Sequence, residues 1–153
     1  MRTWQAAYPG IVPADYLASL SVEKFENMWQ GAITKGVPQL LVAREAETLL
    51  GWVAFGPSRD QGAAATDAEI WAIYVGAPHW GRRVGRQLWQ RAYERMRAQG
   101  FESVSLWAFP ENKRACRFYD RLGFEVDATS HKQFTLGGAQ MNEMRYVRRI
   151  EAA

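Results

Sequence analysis

The sequence has 153 residues, is 48% hydrophobic and 23% charged, and carries 13 Gly and 6 Pro, which suits one folded domain over residues 1–153 and excludes disordered, collagen-like and low-complexity classes. Its 19 basic and 16 acidic residues leave a net charge of +3, too small to announce a nucleic-acid binder, and the lone Cys116 excludes an internal disulfide framework. No apolar run approaches the roughly 20 residues that cross a bilayer, and no charged-then-apolar signal segment follows Met1, so a cytoplasmic chain with no membrane partner is expected.

In chain order, residues 3–8 and 13–20 are predicted as short helices around a turn at Pro9 and Gly10. Ser21 is a fitting N-cap, Leu20 and Phe25 hold hydrophobic-staple positions, and Phe25, Met28, Trp29, Ala32 and Ile33 make an apolar helical face ending near Gly36. From Gln39 the period changes: residues 40–44 and 49–55 flank a polar turn and predict an antiparallel hairpin. Residues 57–66, with Gly62 and three successive alanines, have little to bury and are expected to be mobile over a site. A strand is predicted over 69–75, a helix over 80–99, a strand over 104–109, a helix over 112–122 stopped by Gly123, and strands over 124–128 and 140–148, with 133–136 extending the former. Strand, helix, strand, helix, strand implies a βαβ unit and a mixed sheet of the α/β class.

Charge is unevenly spread. Between Arg82 and Arg121 lie ten Lys/Arg and four Asp/Glu, a local +6 that leaves the rest of the chain at −3, so a polyanionic ligand is expected here and a cationic or neutral partner elsewhere. Residues 74–88 read Y-V-G-A-P-H-W-G-R-R-V-G-R-Q-L: a hydrophobic strand ends, a loop with Pro78, Gly81 and Gly85 follows, and a helix begins whose apolar positions are Val84, Leu88, Ala92 and Met96. First-turn N–H groups lack intrahelical partners, so with Arg82, Arg83 and Arg86 beside them they make an anion site; a glycine-punctuated turn with solvated arginines is the plainer alternative. Neither G-x-G-x-x-G nor G-K-[ST] is present. Residues 112–124 read N-K-R-A-C-R-F-Y-D-R-L-G-F, a helix with Asn112 as N-cap and Ala115, Phe118, Tyr119 and Leu122 on one face. Core packing accounts for Phe118, Leu122 and Gly123 but not for the whole string.

On these residues the chain resembles the GNAT superfamily of N-acetyltransferases. Asn112, Ala115, Phe118, Tyr119, Gly123 and Phe124 follow its N-x-x-A-x-x-F-Y-x-x-x-G-F signature, residues 74–88 resemble its phosphate loop, and Trp4, Tyr8, Gly10, Pro13, Tyr16, Leu17, Leu20, Ser21 and Trp29 are similar to one bacterial branch. Two loop positions depart from the pattern, Trp80 for a leading polar residue and Arg83 for the first glycine, and the family's first edge strand is missing. The resemblance implies a mixed central sheet with a splayed parallel strand pair flanked by helices, and acetyl transfer from acetyl-CoA to a primary amine of a small molecule or peptide by direct attack. It implies that the pantetheine arm bonds to backbone at Ile73, Tyr74 and Val75. Trp80, Gly81, Arg82, Arg83, Val84, Gly85, Arg86 and Asn112 then hold the cosubstrate, and Tyr119 contacts it and protonates the coenzyme A sulfur; a purely positional hydrogen bond is the alternative for Tyr119.

An ammonium of pKa about 10 must lose a proton before nitrogen can attack a thioester. The candidate base is Glu69, which begins a strand, shares a face with Trp71, Ile73 and Val75, and at about 3.3 Å per residue stands roughly 20 Å from Val75. Water with backbone carbonyls, or an exposed carboxylate of no chemical role, are the alternatives. The splayed strands' amides would stabilise a tetrahedral oxyanion. Trp4, Trp29, Trp52 and Trp107 are candidates to line an acceptor pocket, which would favour apolar or cationic acceptors through ring-face contact. His79 and His131 have no second ligand at metal spacing, so no metal is expected. A non-catalytic acyl-CoA sensor and a nucleic-acid module built on the arginines are the rival readings; no nucleic acid is expected, because the arginines fall where a diphosphate and a ribose phosphate would lie. A homodimer is compatible with the enzyme reading.

Overall fold

The computed structural model describes residues 2–151. Helices α1 (Arg2–Ala7), α2 (Ala14–Ser19) and α3 (Val22–Lys35) open the chain. α1 and α2 are joined by a turn whose Gly10 has φ 77°, a conformation that favours glycine. α3 begins directly after Ser21, whose carbonyl accepts from the Phe25 N–H at 3.3 Å. Phe25 meets Trp4 and Trp29 meets Trp52, but Ile33 is 61% exposed and leaves the predicted apolar face. The Met28 side chain lies outside the described residues.

Strands β1 (Gln39–Glu45) and β2 (Thr48–Pro57) form the expected hairpin, and β3 (Asp67–Val75) adds antiparallel to β2. A 3-10 turn (Ala77–His79) leads to α4 (Val84–Ala98), then β4 (Ser103–Ala108), α5 (Lys113–Arg121), β5 (Glu125–Leu136) and β6 (Ala139–Arg149). The sheet runs β1-β2-β3-β4-β6-β5, and its parallel pair is β3–β4. The βαβ unit is thus β3–α4–β4. The following strand–helix–strand does not repeat it side by side, because β6 inserts antiparallel between β4 and β5.

β1 forms the sheet edge, with Val42 58% exposed, and no strand flanks it among the described residues. α4 lays Val84, Leu88, Trp89, Ala92 and Met96 on one face of the sheet, over Val53, Phe55, Ala68, Ile70, Val104 and Leu106. On the other face, α1 and α2 cover a smaller cluster of Val12, Leu17, Phe109 and Met141.

Three expectations change for local reasons. α4 starts at Val84 and not at residue 80, because Gly81 and Arg83 take φ 79° and 63°, which no helix accommodates. β5 is one 12-residue strand where two pieces were predicted, and the gap between them is a register shift between Asp127 and His131. There the Asp127 carboxylate accepts from the Thr129 N–H at 3.0 Å, the Thr129 hydroxyl at 2.7 Å and the Ser130 hydroxyl at 2.8 Å. The segment expected to be mobile is tied down at its start: Ser58 N–H bonds the Asp67 carbonyl at 2.9 Å, and Arg59 and Asp60 enter side-chain networks described below. No described helix is long and apolar enough to cross a membrane.

Candidate active site

The site begins where β3 and β4 part. Their parallel register covers Asp67–Glu69 against Ser103–Ser105, yet β3 continues to Val75 and β4 to Ala108. The cause is visible in β3, where Phe55 pairs with Ile70 and Ala54 with Ala72, leaving Trp71 as an inserted residue; such a bulge bends and twists its strand away from a neighbour. The Gly76 N–H turns toward β2, bonding Leu50 at 2.9 Å, so strand alternation aims the donors of Ile73 and Val75 into the gap. The Val75 carbonyl is already taken: the Trp80 indole donates to it at 2.8 Å, and the Arg114 guanidinium covers the Trp80 ring at 4.0 Å. Trp80 thus ties the loop to the end of β3 and offers its ring to Arg114.

The loop ahead of α4 turns through Gly81 and Arg83, both at positive φ. Arg83 adopts the left-handed conformation that a glycine would take without strain, and its carbonyl accepts the first helical bond, from Gln87 N–H at 3.1 Å. The next N–H groups, of Val84, Gly85 and Arg86, have no place in the helical ladder and converge on the loop. Gly85 serves packing: a Cβ there would stand 3.3 Å from the Phe118 ring, so the glycine lets α4 and α5 close up. Arg82, Arg83 and Arg86 are all exposed, and Arg82 reaches Glu45 at 3.3 Å and the His79 ring at 3.3 Å. Asn112 Oδ1 caps α5 through the Ala115 N–H at 3.2 Å, as the N-cap reading required.

Below the gap lies a group of tyrosines. α5 delivers Tyr119 against Phe118, Phe124 and Tyr146, with ring centroids 5.5–6.0 Å away. Burial pushes its phenol well above the ordinary tyrosine range, and Tyr8, Cys116 and Tyr146 push it further, so it stays protonated at any working pH. No hydrogen bond engages its hydroxyl among the described residues, and no buried polar side-chain atom there is without a partner, so the hydroxyl remains reachable. Tyr74, expected to contribute backbone, also contributes its side chain: its oxygen accepts from Trp4 Nε1 at 2.8 Å, and its phenol interacts with that of Tyr8. Burial raises both phenols, most strongly that of Tyr74.

Glu69 is 1% exposed, so it is no surface carboxylate. Arg59 holds both its oxygens, through its backbone N–H at 2.9 Å and Nε at 3.1 Å to Oε2, and through Nη2 to Oε1. Ala68 and Ile70 on either side of it face the core under α4, as do Ile73 and Val75. Glu69 therefore points to the opposite face. The predicted face shared with Ile73 and Val75 is lost because the inserted Trp71 resets the alternation. Beside this pair, Asp60 accepts from Trp107 Nε1 at 2.9 Å, Arg145 Nε at 2.9 Å and Lys132 Nζ at 3.2 Å. Burial works to raise the Asp60 carboxyl, but these three donors outweigh it and hold it below the usual range.

Of the four candidate tryptophans, three meet. Trp29 contacts Trp52 at 4.7 Å, Trp52 contacts Tyr74 at 5.2 Å, and Trp4 bonds Tyr74 and touches Tyr8 at 5.0 Å. Trp107 stands apart, with its indole on Asp60 and its ring 3.9 Å from Lys132 Nζ. Arg59, Asp60, Lys132, Glu143 and Arg145 escape a reading of the sequence. Asp60 and Arg145 lie 85 residues apart, and nothing local marks either.

Comparison with known proteins agrees with this architecture. The sequence profile described as the acetyltransferase (GNAT) family matches residues 3–124. The uncharacterized N-acetyltransferase YuaI of Bacillus subtilis is 28% identical over 142 residues, covering 93% of this chain and 79% of YuaI. A mycothiol acetyltransferase of Brachybacterium faecium is 38% identical over 127 residues, covering 74% of this chain but 38% of that protein. Among solved structures, the PaiA N-acetyltransferase of Thermoplasma acidophilum in complex with coenzyme A superposes with a TM-score of 0.73 at 22% identity, covering 97% of this chain and 86% of that one.

Proposed function

The chain belongs to the acetyltransferase (GNAT) family, and we propose that it transfers an acetyl group from acetyl-CoA to a primary amine of a small molecule or peptide by direct attack within a ternary complex. The observation that carries this reading is the three-residue parallel register of β3 and β4, with open backbone donors above it, an arginine-flanked helix start at one end and a protonated Tyr119 below. The donor set fits the carrier: the unpartnered N–H groups at 84–86 with Arg83 and Arg86 suit a pyrophosphate, and the Ile73 and Val75 amides suit an extended amide-bearing arm. The relative crystallised with coenzyme A supports the same carrier.

In this reading Tyr119, which burial keeps protonated, gives its proton to the departing sulfur as the thiolate forms. Trp4, Trp29 and Trp52 wall the acceptor side, and ring faces there favour a cationic or apolar amine. Glu69, held by Arg59, orders the segment that follows β2. The deciding experiment follows thiol release from acetyl-CoA with polyamines, amino acids, aminoglycosides and peptides. Saturable release with at least one amine is expected. Tight acetyl-CoA binding without release would favour a sensor, and absence of binding by calorimetry at millimolar concentration would remove the reading altogether.

A further inference from the structure

Glu143 is the titratable group in this region that the foregoing leaves without a task. It belongs to β6, where Lys132 of β5 is its register partner and the next residue, Met144, pairs with Ala108, the last residue of β4. Glu143 therefore stands one step beyond the end of β4, at the mouth of the gap. Alternation puts it on the face of Met141, which packs under α1 and α2, and of Arg145, which binds Asp60.

Its surroundings suit a base. The carboxylate is half-buried, no hydrogen bond or ion pair engages it among the described residues, and its oxygens are not sealed from solvent. The charged groups facing it are Lys132 from β5, Arg59 from the loop after β2 and Glu69 from β3, and on the α1 side it bears on the Tyr8 phenol. Both cations are committed elsewhere, Lys132 to Asp60 at 3.2 Å and Arg59 to Glu69. Burial accordingly raises the Glu143 carboxyl; Lys132 and Arg59 pull it down, and Glu69 pushes it up. Glu69, by contrast, carries three hydrogen bonds from Arg59, two on Oε2 and one on Oε1. Glu143 has no such partner among the described residues and bears on the Tyr8 phenol.

The geometry points to Glu143 as the general base that takes the proton from the acceptor ammonium, a reading that rests on the acetyl-transfer function proposed above. The ammonium N–H bond breaks toward Glu143, the freed lone pair forms the C–N bond, and the C–S bond breaks with sulfur taking the Tyr119 proton. The second nitrogen proton restores the phenol through solvent, and Glu143 releases its own to bulk. The sum is ammonium plus thioester giving amide, thiol and one proton.

Two measurements test it. With an accepted amine, kcat/KM should show an acidic limb with an apparent pKa above the ordinary glutamate value of about 4.3. Glu143→Gln should lower kcat about 10²–10³-fold and erase that limb while leaving acetyl-CoA affinity unchanged. Lys132→Met, which removes a charge that lowers the carboxyl, should move the limb upward, a response no purely structural carboxylate would give. An unaltered rate and limb in Glu143→Gln, or a limb lost in Glu69→Gln and kept in Glu143→Gln, overturns the assignment. Independently of any acceptor, carboxylate infrared titration of wild type minus Glu143→Gln should place the Glu143 midpoint above about 4.3; a midpoint at or below it overturns the assignment too. If no amine is accepted, the acetyl-transfer reading fails and the titration alone judges Glu143.

Discussion

At the scale of single residues, the site depends on groups held in states they would not adopt alone. Tyr119 stays a phenol because burial penalises its anion, so Tyr119→Phe should reduce kcat about 100-fold while calorimetry shows unchanged coenzyme A binding. Since its ionisation lies above the ordinary tyrosine value, no loss of activity between pH 8 and about 10 should trace to Tyr119; an alkaline limb that vanishes in the Phe variant would contradict this. Arg83 holds φ 63° where glycine is at ease. Arg83→Gly should therefore raise unfolding stability by about 0.5–1 kcal/mol in chemical denaturation, and weaken coenzyme A binding by removing a charge. The resemblance marks position 83 as a departure, but its φ is a backbone property that no side-chain pattern reports.

Elements show where local rules suffice and where they fail. The α4 stripe of Val84, Leu88, Ala92 and Met96 was readable as a 3.6-residue period and is buried throughout, and Asn112 caps α5 as its residue type suggests. Glu69 was misread in orientation because one inserted residue in β3 flips every later side chain, and bulges leave no mark in an alternation of apolar residues. Gly85, read from the sequence as a phosphate-loop residue, has a packing role in the structure. Gly85→Val should cost about 1–3 kcal/mol by driving a side chain into Phe118, measured by the shift in denaturation midpoint at constant slope. The segment after β2 leans on Asp60, whose carboxyl is held below the usual range. A depressed carboxyl contributes stability in full above the unfolded value of about 3.9 and loses it as pH falls through the folded one. Asp60→Asn should accordingly be destabilising by about 1–3 kcal/mol at pH 7, with the difference from wild type shrinking below pH 4.

For the whole molecule, the α/β class, the hairpin and the single βαβ unit were legible because each follows from periodicity and turn residues along a short stretch. Strand order was not: the insertion of β6 between β4 and β5 is a long-range choice, and a mixed pattern of exposed and half-buried residues in β5 gives little guidance to its neighbour. The candidate site divides the same way. The stretch proposed to face the coenzyme is nearly continuous in sequence, from Ile73 to Arg86 and from Asn112 to Tyr119, so periodicity, glycine punctuation and resemblance single it out. The part proposed to face the acceptor is assembled from α1, the loop after β2, β4, β5 and β6, and Tyr8, Arg59, Lys132 and Glu143 come together only when these elements meet.

Asp60 joins four of those pieces through one carboxylate, with donors from the tip of β4, from β5 and from β6. That wall should consequently behave as a single jaw, and not as a loop flapping over a fixed hairpin. Amide hydrogen exchange within 58–67 and within the β5–β6 hairpin should share one opening rate, and replacing Asp60 should split it in two. An acceptor that pries at either part must then work against both, so the choice of substrate would be made by how widely the jaw opens as well as by what lines it.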